Sequence, residues 1–136
     1  MLPIQKKQII IAPDAPAAIG PYSVAVRAGQ FIFTAGQIGI DPASGQIVSG
    51  GVEAETRQAL ANLAHVLESA GSGLENVIKT TVFLRDMQDF GRMNAVYAEF
   101  FTANYPARSA VQAAALPRGA AVEIEAVALS GAPYGD

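Results

Sequence analysis

The apolar residues of this 136-residue chain switch period from two to 3.6 and back, twice, and that alternation limits what it can fold into. Before Val52 they fall in short runs broken by Gly and Pro. Gln8–Ala12 is a β-branched run and reads as a strand. Tyr22–Arg27 and Gln30–Ile38 flank Ala28-Gly29, a hairpin signal. From Val52 the spacing becomes helical. Leu60, Leu63, Ala64 and Leu67 form one stripe, while Arg57, Gln58, Asn62, Glu68 and Ser69 lie off it. This predicts an amphipathic helix of about four to five turns with Gly71 as its stop. Val77–Leu84 is again β-rich. A second helix follows, capped by Asp86 or Asp89 and running to about Ala103, with Phe90, Met93, Tyr97, Phe100 and Phe101 as its core stripe. Ser109–Ala115 and Ala121–Leu129 are two further strands joined by Leu116-Pro117-Arg118-Gly119.

The order β-ββ-α-β-α-ββ predicts one domain over residues 1–136: an α+β two-layer sandwich of about six strands with both helices on one face. The last strand adds a condition. Val122, Ile124, Ala126 and Ala128 point one way, and Glu123, Glu125, Val127 and Leu129 the other, so both faces carry apolar residues. A monomeric two-layer domain leaves one sheet face in water. An apolar second face implies a covering partner, most simply a symmetric homo-oligomer.

Composition excludes several chemistries. There is no cysteine and one histidine, His65, so there is no thiol nucleophile, Cys-based metal site or multi-His metal centre within one chain. Charged residues are only 15%, below the roughly 25% of ordinary domains, which again suits a partly covered surface. Net charge is −3 and no basic run exceeds Lys6-Lys7, which argues against nucleic acid as a partner. Met1–Ile11 lacks the apolar core of a signal peptide, and no apolar run approaches the roughly 20 residues of a membrane span. A cytoplasmic protein is expected.

Few residues can carry chemistry. Glu123 and Glu125 share a strand face at i, i+2, roughly 6.5–7 Å apart, a spacing open to paired-carboxylate work or to two half-exposed charges. Their strand is otherwise apolar, where a carboxylate is usually partnered or functional. Arg108 is the only charged residue between Glu99 and Arg118. It is either a surface charge or a clamp that holds a carboxylate through two parallel hydrogen bonds. His65 sits mid-helix and reads as packed or surface. Tyr22 follows Pro13–Pro21, a loop stiffened by prolines. Neither a nucleophile elbow nor a Walker loop occurs, and Gly36-Gln37-Ile38-Gly39 is too short for a nucleotide fingerprint.

An ordered set of stretches carries a family resemblance: Ala17-Ala-Ile-Gly-Pro-Tyr-Ser23, Thr34-Ala-Gly-Gln-Ile38, Gln58-Ala-Leu-Ala-Asn-Leu63, Val77-Ile-Lys-Thr-Thr-Val-Phe-Leu84, Asn94-Ala-Val-Tyr97, Pro106-Ala-Arg-Ser109 and Leu116-Pro-Arg-Gly-Ala-Ala-Val-Glu-Ile-Glu125. Together they resemble the reactive intermediate deaminase family (RidA, YjgF), also called L-PSP endoribonuclease-like. The resemblance implies a chorismate-mutase-like α+β fold, a homotrimer and sites in the clefts between subunits. It implies cofactor-free hydrolysis of enamines and imines, such as 2-aminoacrylate, to 2-keto acids and ammonia. Arg108 matches the family's arginine, Glu123 its site glutamate, Tyr22 its site tyrosine and Asn94 its pocket asparagine. Gly36 and Ala110 match positions whose backbone faces the ligand. The chain departs at Val24, where Gln is common, at Ala35, where Ser is common, and at Ala110, where Cys is common.

The resemblance assigns Arg108, Glu123 and Tyr22 to catalysis and Arg108, Asn94, Gly36 and Ala110 to substrate binding, with no metal and no cofactor. The alternative is a non-catalytic module that senses a small carboxylate such as a 2-keto acid. An endoribonuclease and a chaperone-like protein are the remaining readings.

Overall fold

The computed structural model describes residues 6–131. The ends of the domain expected over 1–136, and Met1–Gln5 of the segment read for a signal peptide, lie outside the described residues. The strands are β1 (Gln8–Ile10), β2 (Ala25–Ala28), β3 (Phe31–Thr34), β4 (Val77–Leu84), β5 (Ala107–Gln112) and β6 (Val122–Leu129). The helices are α1 (Gly51–Ser69) and α2 (Phe90–Phe100). One six-stranded sheet runs in the order β1-β2-β3-β6-β4-β5. It is mixed: β4 and β5 are parallel and every other pair is antiparallel.

The expected α+β sandwich with helices on one face is present. Helix α1 buries Val52, Ala59, Leu60, Leu63, Val66 and Leu67, one stripe at three- and four-residue spacing. All of these but Ala59 meet Val122, Ile124, Ala126 and Ala128 of β6, Val82 and Leu84 of β4, and Met93 and Tyr97 of α2 in one core. Helix α1 ends as its glycine predicts. Gly71 takes φ +76°, its N–H donates to Glu68 O and the Ser72 N–H to Leu67 O, so two end carbonyls are satisfied.

Three expectations are corrected. Strand β2 starts at Ala25, because the proline loop holds Tyr22 and Ser23 outside the ladder. Strand β3 stops at Thr34 rather than Ile38. Phe33 pairs with Val127 and Gln37 with Ile124, so four steps on one strand oppose three on the other: a bulge at Thr34–Gly36. Helix α2 ends at Phe100, and Phe101 is already extended. Strands β5 and β6, consecutive in the chain, are separated in the sheet by β4, a placement the sequence left open. The reason is α2, which serves as the crossover that brings the chain back parallel to β4.

The face opposite the helices is also as the last strand requires. Ile9, Phe33, Val111 and Leu129 lie on it, each 39–49% exposed. Among the described residues no helix is long and apolar enough to cross a membrane, and no cluster of His, Cys, Asp or Glu could hold a metal ion.

Candidate active site

The β3 bulge positions one group of the candidate residues. Gln37 bonds to Ile124 in both directions, N–H to O at 2.8 and 3.0 Å, while the Thr34 hydroxyl takes the Ala126 N–H at 3.0 Å. The β3–β6 contact is thus kept on both sides of Ala35 and Gly36, and the Ala35 N–H donates to Val24 O at 2.9 Å. Glu123 fills the space over Gly36. A Cβ on Gly36 would lie 2.5 Å from Glu123 Oε2 and 2.7 Å from Cδ. Glycine is required here by close approach, with no demand on its φ. Glu123 lines a cavity of about 390 Å³ with Tyr22, Gly36, Val24, Ala35 and Arg118.

Electrostatics single out this carboxyl. Burial raises the Glu123 pKa above the usual glutamate range, and the charge of Glu125 raises it further. Glu125 itself is exposed. The pair therefore divides into one half-buried carboxylate that can exchange a proton and one solvated neighbour.

The walls are held from behind. Tyr22 is half exposed, and its hydroxyl accepts the Ile19 N–H at 3.3 Å, leaving its proton free to donate outward. His65 Nδ1 lies 3.1 Å from Asp14 O and ties the proline loop to α1. A carbonyl only accepts, so Nδ1 carries the proton. Asn62 was expected off the apolar stripe and is instead fully buried. Its Nδ2 donates to Ile38 O at 3.2 Å and Ile40 O at 2.8 Å, pinning the chain that follows the bulge. Helical periodicity scored Asn62 as polar and had no view of the loop that covers it.

The second group lies elsewhere. Arg108 pairs with Thr80 across β4 and β5, whereas Glu123 pairs with Phe83 across β4 and β6. Thr80 and Phe83 are three apart, so the two side chains emerge on opposite faces of the sheet. Arg108 lines a different cavity, also about 390 Å³, with Asn94, Tyr97, Ala98, Phe101, Tyr105 and Pro106. The Asn94 Oδ1 is shielded from water and has no hydrogen-bond partner there. Ala110 lies two residues along the same face as Arg108. The Ala113 N–H donates to Leu84 O at 2.9 Å, so by alternation the amides of Arg108 and Ala110 point away from β4, to the open edge of the sheet.

The chain therefore holds the six predicted residues as two groups: Tyr22, Gly36 and Glu123 on one side, Asn94, Arg108 and Ala110 on the other. Sequence reasoning missed Arg118, which it read as part of a connecting turn. Arg118 holds φ +57° and donates to Gly45 O at 2.8 Å, at the wall of the Glu123 cavity. A Pro-Arg-Gly turn was its one available signal.

The chain is similar to known proteins along most of its length. The family model described as Endoribonuclease L-PSP matches residues 12–130. A mouse (Mus musculus) protein named 2-iminobutanoate/2-iminopropanoate deaminase is 54% identical over 92% of this chain and 93% of its own. A solved putative endoribonuclease L-PSP from Entamoeba histolytica superposes with a TM-score of 0.89 at 43% identity, covering 91% of this chain and 99% of its own. E. coli TdcF, solved with bound serine, superposes with a TM-score of 0.86 at 42% identity, covering 90% of this chain and 98% of its own.

Proposed function

The chain belongs to the endoribonuclease L-PSP family, and from that premise we propose that it is an imine deaminase of the 2-iminobutanoate/2-iminopropanoate type. Its substrates are small enamine and imine acids, and its products 2-keto acids and ammonia. The observation that carries the reading is the state of Arg108. Among the described residues no carboxylate or carbonyl engages its guanidinium, so all its donors are available to a ligand carboxylate. The deaminase relatives and the amino acid bound to E. coli TdcF support a ligand of that kind.

The chemistry follows from the parts. Arg108 holds the substrate carboxylate bidentately, helped by the outward amide of Ala110. Asn94 Oδ1 accepts an N–H from the substrate. Glu123, whose raised pKa suits proton exchange nearer neutrality, takes a proton from the water that attacks the C=N carbon. It returns that proton to nitrogen, giving a carbinolamine, and then moves the carbinolamine hydroxyl proton to nitrogen, so that the C–N bond breaks, C=O forms and ammonia leaves. The Tyr22 hydroxyl donates to the water or the nitrogen. Positioning and preorganised charge supply most of the rate, and neither metal nor cofactor has a role.

Arg108 and Glu123 meet only if two copies abut. The edge of β5 in one protomer then faces the Glu123 cavity of its neighbour, and a closed ring of three satisfies every site in the same way. The apolar face opposite the helices supports such burial. A single domain, a homotrimer, a cytoplasmic location and no nucleic-acid partner complete the reading. Net charge −3 weighs against the ribonuclease activity in the family's description.

Mixed oligomers test the shared site. Arg108→Ala and Glu123→Gln should each abolish keto-acid release in an assay fed by an imine-producing dehydratase. Refolded together at equal amounts, they should regain about a quarter of wild-type activity, because a quarter of composite sites then draw both intact residues. Undiminished turnover in Arg108→Ala refutes the clamp. No recovery on mixing refutes the shared site.

A further inference from the structure

We propose that Phe90 and Tyr97 of α2 form an aromatic shelf that aims the Arg108 guanidinium, making both rings positioning residues for carboxylate capture. The inference rests on the reading of Arg108 as the carboxylate clamp. An arginine at an active site has to be held without being used up. The usual holder is a carboxylate, which takes two of the five N–H donors and neutralises the charge that the ligand is meant to meet. Here the contacts are of another kind. The guanidinium carbon lies 4.7 Å from the Tyr97 ring centroid and 5.4 Å from that of Phe90. Both are within reach of the π-face attraction, which fixes the cation while sparing its N–H groups.

The shelf itself is rigid. The Tyr97 hydroxyl is 2.8 Å from the Thr80 hydroxyl, a buried contact to the residue that pairs with Arg108 across the sheet. Behind it, Phe101 stacks on Tyr97 with ring centroids 4.6 Å apart. The ring is thus locked at its tip by β4 and at its back by the end of α2. Phe90 is half-buried at the start of the same helix, seven residues and two turns before Tyr97, so both rings stand on one helix face. The stripe expected from sequence to be plain core therefore has a second use at its exposed margin.

The test uses Phe90→Leu, Phe90→Tyr, Tyr97→Phe and Arg108→Ala in the full chain. Pyruvate binding is read by calorimetry, steady-state imine hydrolysis gives KM and kcat, and thermal unfolding controls for folding. Phe90→Leu keeps an apolar side chain and removes the ring. It should raise the pyruvate Kd and the KM about five- to tenfold, with kcat within about twofold and the unfolding midpoint unchanged. Phe90→Tyr should restore wild-type binding. Tyr97→Phe, which keeps the ring but frees its tip from Thr80, should weaken pyruvate binding less than Phe90→Leu does. Wild-type Kd and KM in Phe90→Leu, beside lost binding in Arg108→Ala, would overturn the shelf and leave the clamp standing. Equal falls in kcat and unfolding midpoint in Phe90→Leu would also overturn it, by showing a packing role. Wild-type binding in Arg108→Ala would overturn the clamp, and the shelf with it.

Discussion

Gly36→Ala probes the site at its tightest contact. The added Cβ meets Glu123 at 2.5 Å from Oε2, 2.7 Å from Cδ and 2.8 Å from Cγ, which falls short of ordinary contact by about 0.6–0.9 Å. Gly36 does not lie in the left-handed region, so alanine strains no backbone torsion there. The bulge is also held at one end by the Gln37–Ile124 bonds and at the other by the Ala126 N–H on the Thr34 hydroxyl, so the backbone will not yield first. The flexible Glu123 side chain is what moves, swinging about 1 Å or more from its place. A misplacement of about 1 Å at a reacting group can cost about a hundredfold in rate, equivalent to about 2.7 kcal/mol of barrier. The overpacking cost to stability belongs at the low end of about 1–3 kcal/mol, because the displaced group can reach solvent. The assay is imine turnover beside pyruvate calorimetry and thermal unfolding. We expect kcat to fall roughly a hundredfold, with pyruvate bound as in wild type, because Arg108 is untouched. Wild-type kcat in Gly36→Ala would refute the reasoning, since the carboxylate cannot stay where it is.

Two further outcomes follow from charge and backbone. The Glu123 pKa is raised by burial and then by Glu125, so Glu125→Gln should move the acid limb of the kcat/KM profile to lower pH; an unmoved limb would separate that limb from Glu123. The raised pKa means that the folded chain still holds this proton where the unfolded chain has lost it, so stability falls as pH rises through that window. Glu123→Gln should therefore gain on wild type as pH rises across it, measured by denaturant titration at several pH values. Gly91, in the first turn of α2, has open space where a Cβ would stand. Gly91→Ala should stabilise the chain by about 0.5–1 kcal/mol with turnover unchanged, and a lower unfolding midpoint would contradict the packing described.

Much of the fold was legible in the chain because periodicity reports burial. The α1 stripe, the Gly71 stop and the alternation of β6 each depend on neighbours a few residues away, and each was found close to where it was expected. Proximity across the sheet was not legible. Nothing near Ser109–Ala115 says that β5 will pair with β4 rather than with β6, because the parallel pairing is decided by the α2 crossover. The burial of Asn62 likewise depends on Ile38 and Ile40, more than twenty residues away, which cover it.

The site divides in the same way. The sequence alone singled out Glu123 and Arg108, as charges in otherwise apolar strands of a chain without cysteine and with a single histidine. The resemblance carried by its motifs added Tyr22, Asn94, Gly36 and Ala110. Only the tertiary structure decided that Glu123 is folded over Gly36 by a one-residue bulge, and that Arg108 rests on two rings with its donors unspent. It also put the two charges on opposite faces of one sheet. Strand register sets that parity: three residues along β4 reverse the face, and register is a property of paired strands that neither strand holds by itself.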